Sequence, residues 1–107
     1  MTGKLKKAKR PKAVVAHPYH IRFGTPNELG PERSYQTRDM AVNAMANSFR
    51  EWLPWCERHN QAGIKEIKST IDSLGKITFH RTPERVLCTF DELYGLTLAA
   101  EYWSTDA

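Results

Sequence analysis

Two stretches of the chain place apolar residues at helical spacing and predict amphipathic helices. The first follows Thr37, a good N-cap, and gathers on one face Ala41, Ala44, Met45, Ser48, Phe49 and Trp52. Pro54 should end or kink this helix, because proline removes a backbone donor and restricts the preceding residue, with a short helical turn continuing over 55–59. After a joint at 60–63, the second helix carries one apolar seam of Ile64, Ile67, Ile71 and Leu74, and Gly75 is placed to end it.

Alternating segments predict two β-hairpins. The first has a strand over 20–23 and a returning strand over 32–36. The loop between them, over 24–31, contains the turn-forming dipeptides Thr25-Pro26 and Gly30-Pro31. The second pairs Ile77 and Phe79 with the apolar segment 86–88 around a turn at 82–84, where Pro83 fixes its own φ.

The end of the chain predicts a third helix. Thr89-Phe90-Asp91-Glu92 matches a capping box, in which the Thr89 hydroxyl and the Glu92 carboxylate each accept from a backbone amide at the helix start. The helix then begins at Phe90 and runs to Trp103. One of its faces would cover the hairpin with Leu93, Leu96, Ala100 and Trp103.

Together these elements predict an α+β fold in one domain over 14–107. Two β-hairpins form an antiparallel sheet packed by three helices in the order ββα-α-ββα. A chain of 107 residues is near the commonest size of a single domain and can bury one core. Residues 1–13 lie outside this domain as a basic, flexible arm.

The positive charge of the protein is concentrated in that arm. Residues 1–13 hold six of the 16 lysines and arginines and none of the 12 acids, so the remaining chain has ten basic against 12 acidic residues. A segment of this composition cannot bury apolar surface and should be disordered. Its charge favours sequence-independent binding to the phosphates of a nucleic acid. The same composition is also consistent with a solvated tail that only increases solubility. The candidate nucleic-acid-binding residues are Lys4, Lys6, Lys7, Lys9, Arg10, Lys12, Arg22, Arg81 and Arg85.

Motifs for catalysis, cofactors or metals are missing from the sequence. There is no glycine-rich phosphate loop and no G-x-S-x-G element, so we expect a non-enzymatic protein with no cofactor and no evident small-molecule substrate. A zinc site from Cys56, His59, His80 and Cys88 is conceivable, but the spacing matches no known finger. With two cysteines, no long apolar run and no apolar signal segment near Met1, we expect a cytoplasmic protein that does not contact membranes.

Three modes of nucleic-acid binding remain open. In the first, the hairpins lie in a groove of the nucleic acid, where Arg22 and Arg33, or Lys76, Arg81 and Arg85, contact phosphate or bases. The hairpin–helix unit also resembles the small three-stranded arm-binding domains of phage integrases. The helix over 64–74 followed by the hairpin over 77–88 resembles a winged helix-turn-helix, which makes 82–85 the wing. In the third mode the arm alone makes the contact, and the charge distribution favours this one.

The predicted last helix also offers a second apolar stripe. The stripe consists of Tyr94, Leu98 and Tyr102 at i, i+4 and i+8, away from the face that covers the hairpin. Either the helix is central and buried on all sides, or this stripe is an exposed site for a protein partner or a second copy. We therefore expect a small accessory protein, of the type encoded by phages and mobile elements, that associates with nucleic acid through its arm. The alternative is a protein-binding inhibitor or adaptor.

Overall fold

A computed structural model describes residues 16–106 of the chain. Its sheet is antiparallel and contains five strands: β1 (Tyr19–Thr25), β2 (Glu28–Leu29), β3 (Arg33–Tyr35), β4 (Glu84–Asp91) and β5 (Leu96–Ser104). The spatial order is β2-β1-β5-β4, and β3 pairs with the same edge of β1 as β2. The first and last strands are therefore neighbours in the middle of the sheet. The α+β class and the antiparallel sheet are confirmed.

Three helices connect β3 to β4: α1 (Arg38–Arg50), α2 (Leu53–His59) and α3 (Gln61–Leu74). The predicted N-cap of α1 is confirmed, since the Thr37 hydroxyl accepts a hydrogen bond from the Met40 amide at 3.2 Å. Pro54 lies in the first turn of α2, where its missing N–H costs nothing. Asn60 caps α3 by accepting from the Ala62 amide at 3.2 Å, so this helix begins inside the predicted joint.

All three helices contribute side chains to one core on a single face of the sheet. The predicted apolar faces are largely confirmed: Ala41, Met45 and Phe49 of α1 and Ile67 and Leu74 of α3 are fully buried. Aromatic contacts join the two layers: Phe23 with Phe49, Trp52 with Phe90, and Trp55 with Phe90. The sheet supplies Ile21, Cys88, Phe90, Leu98, Ala100 and Tyr102 to the same core.

The predicted last helix is wrong, because residues 96–104 form strand β5. Leu98 and Tyr102 are four residues apart, a spacing that places two residues on one face of a helix and also on one face of a strand. Three features select the strand. Gly95 has φ of +66°, the Thr89 and Thr97 hydroxyls bond across β4 and β5 at 2.9 Å, and Asp91 Oδ1 accepts from the Tyr94 amide in the turn.

The second predicted hairpin is also displaced. Residues 77–80 form no strand, and the real hairpin pairs β4 with β5 around a turn at 92–95. Phe79 is nevertheless buried, where its ring meets Tyr19 and Tyr102, so its apolar character serves the core and not a strand. Arg38 holds this connection in place by donating to the carbonyls of Gly75 and Ile77. The predicted arm over 1–13 lies outside the described residues.

Candidate nucleic-acid interface

The sheet presents a second face, which none of the three described helices covers. We call it the outer sheet face. Strand alternation and register arrange its residues in rows that run across the strands. The rows are Ser34–His20–Trp103, then Arg22–Glu101–Arg85, then Leu29–Gly24–Ala99–Leu87, then Thr97–Thr89.

The first row carries a pair of stacked rings. His20 of β1 lies opposite Trp103 of β5, with ring centroids 5.3 Å apart and planes inclined by 8°. His20 Nδ1 lies 2.9 Å from Glu32 Oε2, at hydrogen-bond distance, so the edge of the imidazole ring also has a partner. Trp103 is half-buried and uses one ring face for His20. The pair is therefore an aromatic surface on the side of the sheet away from the helices.

The second row carries two arginines on either side of one carboxylate. Glu101 lies opposite both Arg22 and Arg85, so the row has one net positive charge. Arg85 Nε is 3.8 Å from Glu101 Oε2, and its Nη1 donates to the Pro26 carbonyl at 3.0 Å. Arg22 donates from Nε to the Gly30 carbonyl at 3.0 Å, which uses one of the five N–H donors of a guanidinium. Both arginines are thus held on the face and keep donors for an anion.

The structure brings together some of the predicted nucleic-acid-binding residues. Arg22 and Arg85 share one row, and Arg81 is exposed in the segment that leads into β4, at the Trp103 end of the sheet. Arg33, by contrast, points to the helical layer and donates to the Ser48 hydroxyl at 3.2 Å. The six basic residues of the arm precede residue 16 and lie outside the described residues.

The proposed partner-binding stripe is not assembled as the helical pattern predicts. Leu98 and Tyr102 are 3% and 5% exposed and belong to the core, whereas Tyr94 is 73% exposed in the β4–β5 turn. Burial raises the pKa of the Tyr102 hydroxyl, and the nearby Glu84 carboxylate adds to this shift. Of the three residues, Tyr94 is the one that a partner can reach on the folded domain.

A cavity lies at the opposite end of the molecule from the His20–Trp103 pair. It has a volume of about 330 Å³ and lies between the first turn of α3 and the β4–β5 turn. Its walls include the acidic residues Glu66, Asp91 and Glu92, together with Leu93, which is 83% exposed. Phosphate would be repelled here, so this end of the domain is unsuited to nucleic acid.

The two cysteines are core residues and not an exposed reactive pair. Cys56 and Cys88 are both buried and unpaired. Burial raises the pKa of each thiol above its ordinary value, and neighbouring negative groups act in the same direction, while a hydrogen bond with Thr70 partly offsets the effect at Cys88. In residues 16–106 no group of three or more histidines, cysteines or acids is placed to hold a metal ion. His59 and His80 are exposed, away from the buried thiols.

Sequence reasoning missed His20, Glu101 and Trp103 as members of one surface. A signal for part of it exists, since Thr97, Glu101 and Trp103 alternate with buried Leu98, Ala100 and Tyr102 at the period of a strand.

No protein-family model, curated protein or solved structure matches the chain. No helix within residues 16–106 has the length and apolar character needed to cross a membrane.

Proposed function

We propose that this protein is a non-enzymatic nucleic-acid-binding protein whose basic arm and outer sheet face act together. The observation that carries the proposal is the juxtaposition of Arg22, Arg85 and the His20–Trp103 pair on one open face. Cations that contact phosphate and rings that contact bases are the two components of strand binding. The role as an accessory protein of phages or mobile elements stays a prediction.

The arm joins the domain at the aromatic end of this face. Pro18 accepts a hydrogen bond from the Thr105 amide at 3.0 Å, and Tyr19 lies opposite Ser104, so the chain enters the sheet beside Trp103. Lys12 and Ala16 are four positions apart in the sequence, which spans at most about 14 Å when extended. A nucleic acid on the outer sheet face therefore lies within reach of the basic arm.

Salt-titrated binding tests the proposal. Six cations that each neutralise a phosphate contribute a slope of about 4 to 5 in log K against log salt, so deletion of residues 1–12 should remove most of the salt dependence. Replacement of Arg22 and Arg85 by glutamine should lower the slope by about 1 to 2. Replacement of Lys65 and Lys68 by glutamine is the matched control. It removes the same charge as the double arginine variant, but from helix α3 and not from the outer sheet face.

The control variant with both lysines replaced by glutamine should bind as the unchanged protein does. Equal affinity and equal slope for the protein with and without residues 1–12 would contradict the role of the arm. Equal affinity for the double arginine variant would contradict the role of the outer sheet face.

The exposed β4–β5 turn favours protein binding as a second candidate function. Leu93 and Tyr94 are 83% and 73% exposed, and adjacent exposed apolar residues of this size are typical of contact sites. We expect self-association, measured by sedimentation, to be lost when both are replaced by serine while circular dichroism stays unchanged. A monomer at all concentrations would argue against a second copy as the partner.

A further inference from the structure

We propose that the outer sheet face takes single-stranded nucleic acid in preference to a duplex, with a base stacked on Trp103. This inference rests on the proposed function and narrows it to one class of ligand. Three observations support it: the width of the face, the location of the acidic residues, and the distance from the aromatic pair to the arginine row.

The face is too wide for the groove of a duplex. From β2 and β3 to β4 there are three strand spacings, about 14 Å, whereas the major groove of B-DNA is about 12 Å wide. A two-stranded ribbon can enter that groove, but the end of the β4–β5 ribbon carries the exposed residues Glu92 and Leu93, while Asp91 beside them is 4% exposed. The Glu92 carboxylate at the point of entry would repel the phosphates on both sides of the groove.

The helices do not supply an alternative reader of duplex DNA. The exposed side of α3 carries Lys65 and Lys68 but also Glu66 and Asp72, so its charges cancel. The predicted wing over 82–85 is not a turn between two strands, since β4 begins at Glu84 and pairs with β5. The winged-helix mode of binding therefore has neither its wing nor a basic recognition helix in residues 16–106.

A single strand fits the spacing of the rows. Trp103 and Glu101 are two residues apart on β5, so the aromatic row and the arginine row are separated by about 7 Å, within the span of one nucleotide. A base that extends the His20–Trp103 stack places its phosphate toward Arg22 or Arg85. The bases of a duplex are already stacked on one another and offer no free ring face at this position.

The third row is covered above its two small residues, since Ala99 is 0% exposed and a Cβ at Gly24 would collide with the Glu28 carbonyl oxygen. Gly24 and Ala99 lie side by side in register, between Leu29 and the 56% exposed Leu87. The Arg85 side chain crosses β5 to reach the Pro26 carbonyl beside this row. The part of this row that the next base of a strand can reach is therefore the exposed Leu87 at the β4 edge.

Binding of an oligothymidylate of about 15 nucleotides, near the upper end of known site sizes, is compared with binding of a duplex of the same length at equal salt. We expect the single strand to bind at least about fivefold more tightly, which is the smallest effect of one stacked base. Trp103→Leu should weaken single-strand binding by about 5- to 150-fold and leave the salt slope unchanged, because no charge is removed. Trp103→Phe should restore most of the loss, and Tyr94→Ala, at the far end of the domain, should have no effect.

Each possible result decides a different point. Equal or tighter binding of the duplex overturns the strand preference, and this measurement requires no variant. Unchanged single-strand affinity in Trp103→Leu overturns the stacking. If neither nucleic acid binds at low salt, the proposed function itself fails. If Trp103→Leu loses its circular dichroism signal, the Trp103→Phe and His20→Ala proteins are measured in its place. His20→Ala should then lower the affinity for the single strand. An unchanged affinity in His20→Ala would contradict the role of the His20–Trp103 pair.

Discussion

Gly63 is the position at which a single added methyl group should have the clearest effect on stability. It is the third residue of α3, where this helix crosses β4. A Cβ atom at this position would lie 2.5 Å from the Phe90 carbonyl oxygen and 2.9 Å from Cys56 Sγ. Since the first contact is with backbone, the strand cannot move aside by rotating a side chain. In Gly63→Ala, α3 must therefore shift away from β4.

The expected cost follows from three contributions. Overpacking of this kind typically costs about 1–3 kcal/mol. The shift also lengthens the hydrogen bond from Asn60 Nδ2 to the Phe90 carbonyl, now 3.3 Å, whose loss costs about 1 kcal/mol. Alanine offsets these by up to about 1 kcal/mol through its better helix propensity. The sum is a destabilisation of about 1–3 kcal/mol, or a decrease in Tm on the order of 5 to 20 °C.

Urea unfolding followed by circular dichroism measures this difference. Gly75→Ala is the matched control, because Gly75 ends the same helix with φ of −65° and its added Cβ would meet nothing closer than the Asp72 oxygen at 3.5 Å. That variant should be neutral or more stable by up to about 1 kcal/mol. If Gly63→Ala proves as stable as the unchanged protein, the close approach of α3 to β4 described above is incorrect.

Two further predictions concern core residues. Leu98→Ala should destabilise the protein by about 2–5 kcal/mol, because Leu98 is 3% exposed. Tyr94→Ala, in the exposed turn, should change the free energy of unfolding by less than about 0.5 kcal/mol in the same urea assay. Similar values for the two variants would contradict the placement of β5. Stability should also decline as pH rises above the ordinary thiol pKa of 9.0, since thiols of the unfolded chain then ionise while burial keeps Cys56 and Cys88 protonated. Cys88→Ala should make this decline shallower between pH 8 and about 10.5, measured by urea midpoints, and an unchanged slope would show that the Cys88 thiol does not contribute.

The sequence allowed the middle of the chain to be predicted because two kinds of local signal agreed there. In α1 the apolar spacing of Ala41, Met45 and Phe49 followed a true N-cap at Thr37. At the end of the chain the local signals were ambiguous, since Thr89 and Glu92 fit a capping box as well as a strand followed by a turn. The choice was made by the pairing of β5 with β1 and β4, which no local pattern reveals.

The same dependence on distant pairing explains why the candidate site could be predicted only in part. The sequence identifies Arg22 and Arg85 as basic residues, but they share one row only because β5 lies between β1 and β4, with Glu101 opposite both arginines. His20 and Trp103 are far apart in the chain and meet through one register of β1 on β5. A shift of that register by one residue would turn Trp103 into the core.

The location of β1 and β5 in the middle of the sheet also fixes when the sheet can form during synthesis. Tyr19 and Ser104 are paired although about 85 positions separate them, so the sheet stays incomplete until the ribosome has made β5. At about 5–20 residues per second, β1 waits on the order of 4–17 s for its partner on this edge, although β2 and β3 can pair with its other edge much earlier. The helices between them rely on local contacts and can form earlier, which leaves closure of this long loop as the slow step. A nascent chain stalled before residue 96 would therefore present the β5-facing edge of β1 unpaired to chaperones and proteases.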